Sequence, residues 1–276
     1  MPEGPKELLQ ATFRATAAAG RAALLPYLTA GLPTVAESVA LFEAMAEGGA
    51  DGFEVGIPYS DPLMDGPVIH GAGLRALTGG ATIERSLEIV AGAGKATGLP
   101  TMVMTYVNPV MRYGPDRFAA MAAEAGAAAM ILADLPAEEA DPFRRAFDGA
   151  GLGTVLFVAP TTGEGRLRSV VAQDPIFLYG IAELGVTGER TMTSNRAAEL
   201  AQRVRAVTDA PLVLGVGIST PGQARVAASL ADGVIVGSAL VRRVLDAPSA
   251  VEAAAALRIA VRDLAAAMRR EAGADS

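Results

Sequence analysis

A chain of 276 residues, 51% hydrophobic, with net charge −7 and no cysteine, can bury a sizeable core and cannot use disulfides or thiolate chemistry. Its acidic balance argues against nucleic acid, which wants basic patches. No apolar run reaches the roughly 18 residues that span a membrane, and the N-terminal Met-Pro-Glu-Gly-Pro-Lys lacks a basic-then-apolar signal pattern, so the expected location is cytoplasmic with no membrane partner.

In chain order, residues 5–19 read as an Ala-rich helix closed by Gly20, and 24–29 as the first strand, turned by Gly31-Leu-Pro33. Residues 34–47 read as an amphipathic helix, with Thr34 and Glu37 spaced as a capping box. The second strand lies in 51–57, where Phe53, Val55 and Ile57 alternate with Gly52, Glu54 and Gly56. Pro58, Pro62 and Pro67 stop the ladder, because proline has no N–H to give. Helices are expected over 68–77 and 82–96, then a strand over 101–106 that ends at Asn108-Pro109. A helix over 115–125 leads to a strand over 128–133, ending Asp134-Leu-Pro136, and to a helix over 138–150. Strand 154–158, helix 166–172 and strand 176–181 follow. A Gly/Thr-rich loop spans 184–194, before helix 195–207 and strand 212–216. Thr220 and Pro221 start a helix through 230 as N-cap and first residue. The last strand is 233–236, with a short helix over 239–245 and a long closing helix over 249–271.

Eight apolar strands alternate with helices at intervals of roughly 25–30 residues, the cadence of a parallel (β/α)8 TIM barrel. No linker divides the chain, so the expectation is a single domain over 1–276, with an extra N-terminal helix and a short extra helix after strand eight. A doubly wound open sheet is the alternative, but no Gly-x-Gly-x-x-Gly turn follows the first strand.

Scarcity narrows the chemistry. With His70 the only histidine, no cysteine, and Lys6 and Lys95 the only lysines, the usual zinc sets cannot be assembled and no metal site is expected. Neither lysine falls at a strand's C-terminal end, where a Schiff base would be needed. Acid–base work falls to carboxylates and tyrosines. Glu54, between two glycines on a buried strand, and Asp65, one short loop later, are the leading pair; the plain alternative is an ion-pair partner and a turn residue. Tyr106 and Tyr179 read either as core rings or as walls for a flat ligand, and His70 as structural or solvated. Gly188, Gly217, Gly237 and Ser238 follow strands six to eight, where backbone N–H groups at helix starts can hold a phosphate. The loop 185–194 also reads as a lid. A phosphosugar isomerase or epimerase, or a non-catalytic regulatory subunit binding a phosphorylated ligand, would use the same barrel.

The stretch Phe53-Glu-Val-Gly-Ile-Pro-Tyr-Ser-Asp-Pro-Leu-Met-Asp-Gly-Pro67 resembles the tryptophan synthase alpha subunit family. Tyr106-Val-Asn-Pro109, Ala133-Asp-Leu-Pro136, Ala159-Pro-Thr-Thr162, Gly185-Val-Thr-Gly188, Gly217-Ile-Ser and Gly237-Ser-Ala add to the resemblance in the same order. It implies retro-aldol cleavage of indole-3-glycerol phosphate to indole and glyceraldehyde 3-phosphate, without a cofactor in this chain. It implies Glu54 as general acid/base and Asp65 as the group that stabilises charge at the indole N–H. Tyr179 and Tyr106 would sit with the substrate, Thr187 would orient Asp65, and Gly188, Gly217, Gly237 and Ser238 would hold the phosphate. It further implies a beta subunit carrying pyridoxal phosphate, in an alpha2-beta2 tetramer, facing Pro58, Asp61, Pro62, Asn108 and Pro136. A free-standing lyase that releases indole would keep the same carboxylates. His70 stands where the family pattern has glutamine, and Ile181-Ala-Glu-Leu184 lacks the usual Ser-Arg pair.

Overall fold

A computed structural model describes residues 4–181, 190–215 and 217–269, with side chains for all of these but 190–195. The strands are β1 Ala23–Thr29, β2 Phe53–Gly56, β3 Thr101–Thr105, β4 Ala127–Leu132, β5 Gly153–Val158, β6 Phe177–Gly180, β7 Leu212–Leu214 and β8 Gly233–Val236. They form a closed barrel in sequence order, every neighbouring pair parallel, and β8 returns to β1 with Ala23 opposite Gly233. Parallel strands covered by helices are buried on both faces, which is why they read as near-continuous apolar runs.

The helices are α1 Pro5–Ala18, α2 Ser38–Glu47, α3 Pro67–Thr78, α4 Ile83–Thr97, α5 Val107–Tyr113, α6 Pro115–Glu124, α7 Asp141–Gly149, α8 Glu164–Val171, α9 Arg190–Arg205, α10 Pro221–Leu230, α11 Ser238–Asp246 and α12 Ala250–Ala267. α1 lies apart from the alternation, its Phe13 ring edge-on to Phe177 of β6 at 5.8 Å. α11 is the short extra helix after β8.

Local chemistry moves several boundaries. Thr34 and Glu37 do exchange hydrogen bonds, but regular helix starts only at Ser38. α5 was not expected, because Asn108-Pro109 reads as a stop. Pro109 instead falls in the first turn, where its missing N–H is not needed, and the Asp134 carboxylate accepts the Val107 N–H at 2.8 Å. Pro142 likewise starts α7, leaving a separate turn of 3-10 helix at Ala137–Glu139 where one helix was expected. Part of the expected loop 184–194 is already helix, since α9 begins at Arg190; Leu184 to Glu189, Val216 and residues beyond 269 lie outside the described residues.

At the N-terminal end of the barrel one tripeptide is used twice. In Ala50-Asp-Gly52, Asp51 takes both guanidinium nitrogens of Arg21, at 2.6 and 2.7 Å, and the Leu24 N–H at 2.9 Å. In Ala231-Asp-Gly233, Asp232 takes Arg205 at 2.7 Å and the Leu212 N–H at 2.8 Å. Each carboxylate ties the start of its own strand to the preceding strand, β1 for Asp51 and β7 for Asp232. Bidentate guanidinium–carboxylate pairing fixes geometry as well as charge.

Candidate active site

β2 turns its bulky parity outward. Phe53 meets Phe42 of α2 edge-on at 5.3 Å. Glu54 therefore points into the barrel, in register with Tyr27 of β1 and Met102 of β3. The flanking glycines have a steric cause: a Cβ at Gly56 would overlap the Tyr27 hydroxyl, and one at Gly52 would lie 3.0 Å from the Leu25 side chain.

Glu54 is 3% exposed, and its Oε2 has no hydrogen-bond partner among the described residues. Burial, and then the negative charge of Asp65, raise its pKa to about 8, against a hydrogen bond from the Tyr179 hydroxyl that favours the charged form. At neutral pH the carboxyl is mostly protonated, as a general acid must be. Asp65 is half-buried on the β2–α3 loop. Burial raises its pKa too, but a hydrogen bond from Tyr106 and the nearby His70 pull it back toward the charged form. The Tyr106 hydroxyl also accepts the Met64 N–H at 3.3 Å, which holds the loop over the barrel mouth. Burial raises both carboxyls, but their neighbours differ: Tyr106 and His70 favour the charged form of Asp65, whereas the Asp65 charge adds to the rise at Glu54.

Both acids line a cavity of about 500 Å³ at the C-terminal ends of the strands. Its walls are mainly apolar, with Met104, Ile131 and Phe157 among them. The Phe157 and Tyr179 rings stack at 5.1 Å, forming a flat face. Tyr179 owes its place to Gly215, where a Cβ would overlap the ring. Gly217, Gly237 and Ser238 line the same cavity. Gly217 has φ 75°, a left-handed conformation suited to glycine, and Ser238 opens α11. Among the described residues no cluster of three His, Asp or Glu could hold a metal, and no helix is long and apolar enough to cross a membrane.

Glu54, Asp65, Tyr179, Gly217, Gly237 and Ser238 therefore border one space, and Tyr106 backs Asp65 from outside it. Thr187 and Gly188, with the first half of the expected lid, lie outside the described residues. His70 is exposed on α3, within electrostatic reach of Asp65. Of the residues expected to face a partner, Asp61, Asn108 and Pro136 are exposed, Pro62 is half-buried, and Pro58 is buried near Gly73 of α3. Tyr27, Phe157 and Gly215 were missed. Tyr27 and Phe157 lie on the inward parity of their strands; for Phe157 that parity carries no polar marker, and for Tyr27 the marker beside its own hydroxyl is Thr29.

A family model described as tryptophan synthase alpha chain matches residues 13–269. The chain belongs to the tryptophan synthase alpha chain family. The alpha chain of Streptomyces coelicolor is 46% identical over 269 residues, covering 98% of this chain and 99% of the relative. That of Salinispora tropica is 47% identical over 260 residues, covering 94% and 97%. Among solved structures, Mycobacterium tuberculosis tryptophan synthase superposes with a TM-score of 0.85 at 41% identity, covering 95% of this chain and 98% of the matched one.

Proposed function

We propose that this chain cleaves indole-3-glycerol phosphate to indole and glyceraldehyde 3-phosphate, and hands the indole to a beta subunit that carries pyridoxal phosphate. The observation that carries the reading is the buried Glu54, without a counter-ion among the described residues, sharing with Asp65 an apolar cavity that ends at the glycines following β7 and β8.

The flat Phe157–Tyr179 face suits an indole ring, and Gly217, Gly237 and Ser238 suit its phosphate. Protonated Glu54 gives its proton to the indole ring carbon that bears the glycerol chain. The positive charge that develops at the ring nitrogen is stabilised by Asp65. Glu54, now a carboxylate, takes the proton of the hydroxyl on the adjacent chain carbon. The oxygen's electron pair forms the aldehyde, the carbon–carbon bond breaks, and its electrons restore the aromatic ring. Glu54 ends protonated, as it began, so the cycle needs no lysine, metal or cofactor from this chain. A low-dielectric cavity strengthens the charge stabilisation that the step requires.

A partner surface fits at the barrel mouth. Leu63 and Met64 on the β2–α3 loop are 83% and 57% exposed, and Met111 on α5 is 55% exposed. Asn108 of α5 donates to the Tyr59 hydroxyl at 3.0 Å and ties these two segments together. Asp61, Pro62, Asn108 and Pro136 belong to this surface in the proposed assembly, an alpha2-beta2 tetramer. The test is indole release from indole-3-glycerol phosphate by the purified chain, alone and with a tryptophan synthase beta subunit. Weak release that rises sharply with the partner is expected; no release in either mixture overturns the reading.

A further inference from the structure

The proposed substrate must reach from Glu54 on β2 to Gly237 and Ser238 after β8. In the closed barrel, β1 lies between these two strands. A ligand that joins the acid to the glycines therefore crosses β1, and the residue it meets there is Tyr27. Tyr27 is in register with Glu54 and lines the cavity. Its ring runs from one end of the ligand path to the other. A Cβ at Gly237 would come within 3.4 Å of Tyr27 Cδ1, while one at Gly56 would overlap the hydroxyl.

The hydroxyl end is polar and largely unspent. Tyr27 Oη and Thr29 Oγ1 lie 3.2 Å apart and share a hydrogen bond. Neither hydroxyl makes another hydrogen bond among the described residues, so one of their two protons and several lone pairs are free. Tyr27 is only 5% exposed. A phenylalanine would fill the same space without burying an under-used hydroxyl, which is costly. Burial, and then the charges of Asp65 and Glu54, push the phenol pKa well above its ordinary value, so it stays a donor.

We propose that Tyr27, paired with Thr29, binds a hydroxyl of the substrate's glycerol chain, making this pair the element that selects a hydroxylated three-carbon bridge between ring and phosphate. This inference rests on the proposed function. The hydrogen bond holds the chain on the β2 side of the cavity, so that the carbon next to the ring faces Glu54.

The test measures binding by calorimetry in a Glu54→Gln background, where substrate is not consumed. Two probes are compared: indole-3-glycerol phosphate, and 3-(indol-3-yl)propyl phosphate, which lacks both chain hydroxyls. With Tyr27→Phe added, Kd for the glycerol phosphate is expected to rise about tenfold, the size of one lost hydrogen bond, and Kd for the propyl phosphate to stay within about twofold. Thr29→Val is expected to act in the same direction and more weakly. Equal weakening of both probes by Tyr27→Phe, as a merely structural role predicts, or no weakening of either, overturns the proposal. If the protein with Tyr27 intact binds neither probe, the proposed function itself fails, and this inference with it.

Discussion

Asp51 and Glu54 stand three residues apart, at and just before β2, and they are treated in opposite ways. Asp51 has a bidentate arginine and a backbone N–H. Glu54 is more deeply buried and, among the described residues, has no cation and keeps one oxygen without a partner. The first carboxylate closes the N-terminal end of the barrel; the second faces the cavity at the other end. A barrel of this kind keeps stability at one face and chemistry at the other. On the proposed function the difference is one of partners: Asp51 is given all it can use, whereas Glu54 has few among the described residues, which leaves its proton available.

The sharpest way to break this contrast is Glu54→Gln. It keeps the shape and removes the exchangeable proton, so indole release is expected to fall about 10³-fold, within the range of general acid–base catalysis. Because a buried acid without a cation does little for folding, the thermal midpoint at pH 8 is expected to hold or rise. A large loss of Tm with little loss of rate would reverse the roles assigned to the two acids.

The same variant exposes a pH effect whose sign is fixed. Glu54 has a folded pKa of about 8, above its ordinary 4.5. Between these values the folded chain holds a proton that the unfolded chain has released. Stability from this group is therefore fully present below about pH 4.5 and is lost as pH rises toward 8. Urea unfolding at pH 5 and pH 8 should show the parent losing a few kcal/mol more than Glu54→Gln over that interval. Activity should also decline above about pH 8, as the acid form disappears.

At the other face, Asp51→Ala removes three hydrogen bonds and leaves Arg21 without its partner. A loss of about 2 kcal/mol is expected in urea unfolding, with kcat nearly unchanged. A comparable loss in kcat would show that the two ends of β2 are coupled.

The division was partly legible in the sequence. Alternation set Glu54 on the opposite parity from Phe53, Val55 and Ile57, because a carboxylate marks one face, and the strand–helix cadence gave the barrel. Tyr27 was missed although in Leu24-Leu-Pro-Tyr-Leu-Thr29 its parity carries two hydroxyls, Tyr27 and Thr29, and the other none; a hydroxyl marks a face less sharply than the Glu54 carboxylate does. The role of Gly215 depends on the Tyr179 ring, a contact between β6 and the residue after β7. Helix α5 was hidden by Asn108-Pro109, since a proline that stops a strand can equally sit in the first turn of a helix. The salt bridge at Asp51 was missed because its partner, Arg21, lies thirty residues away in sequence.

The finest probe of the contrast is the one hydrogen bond that Glu54 does keep. Tyr179 donates to the carboxylate and so favours its charged form. Tyr179→Phe keeps the ring against Phe157 and removes only that bond. The Glu54 pKa should move further up, and the alkaline limit of activity with it. The rate near pH 7 should change by less than about tenfold, since a single hydrogen bond is worth about 1 kcal/mol. A pH–rate profile separates this from a packing defect: lost packing lowers the whole curve, whereas a lost bond shifts its alkaline limb. An unmoved limb would mean that burial and Asp65 set the acid without Tyr179, which then serves only as a wall for the ring.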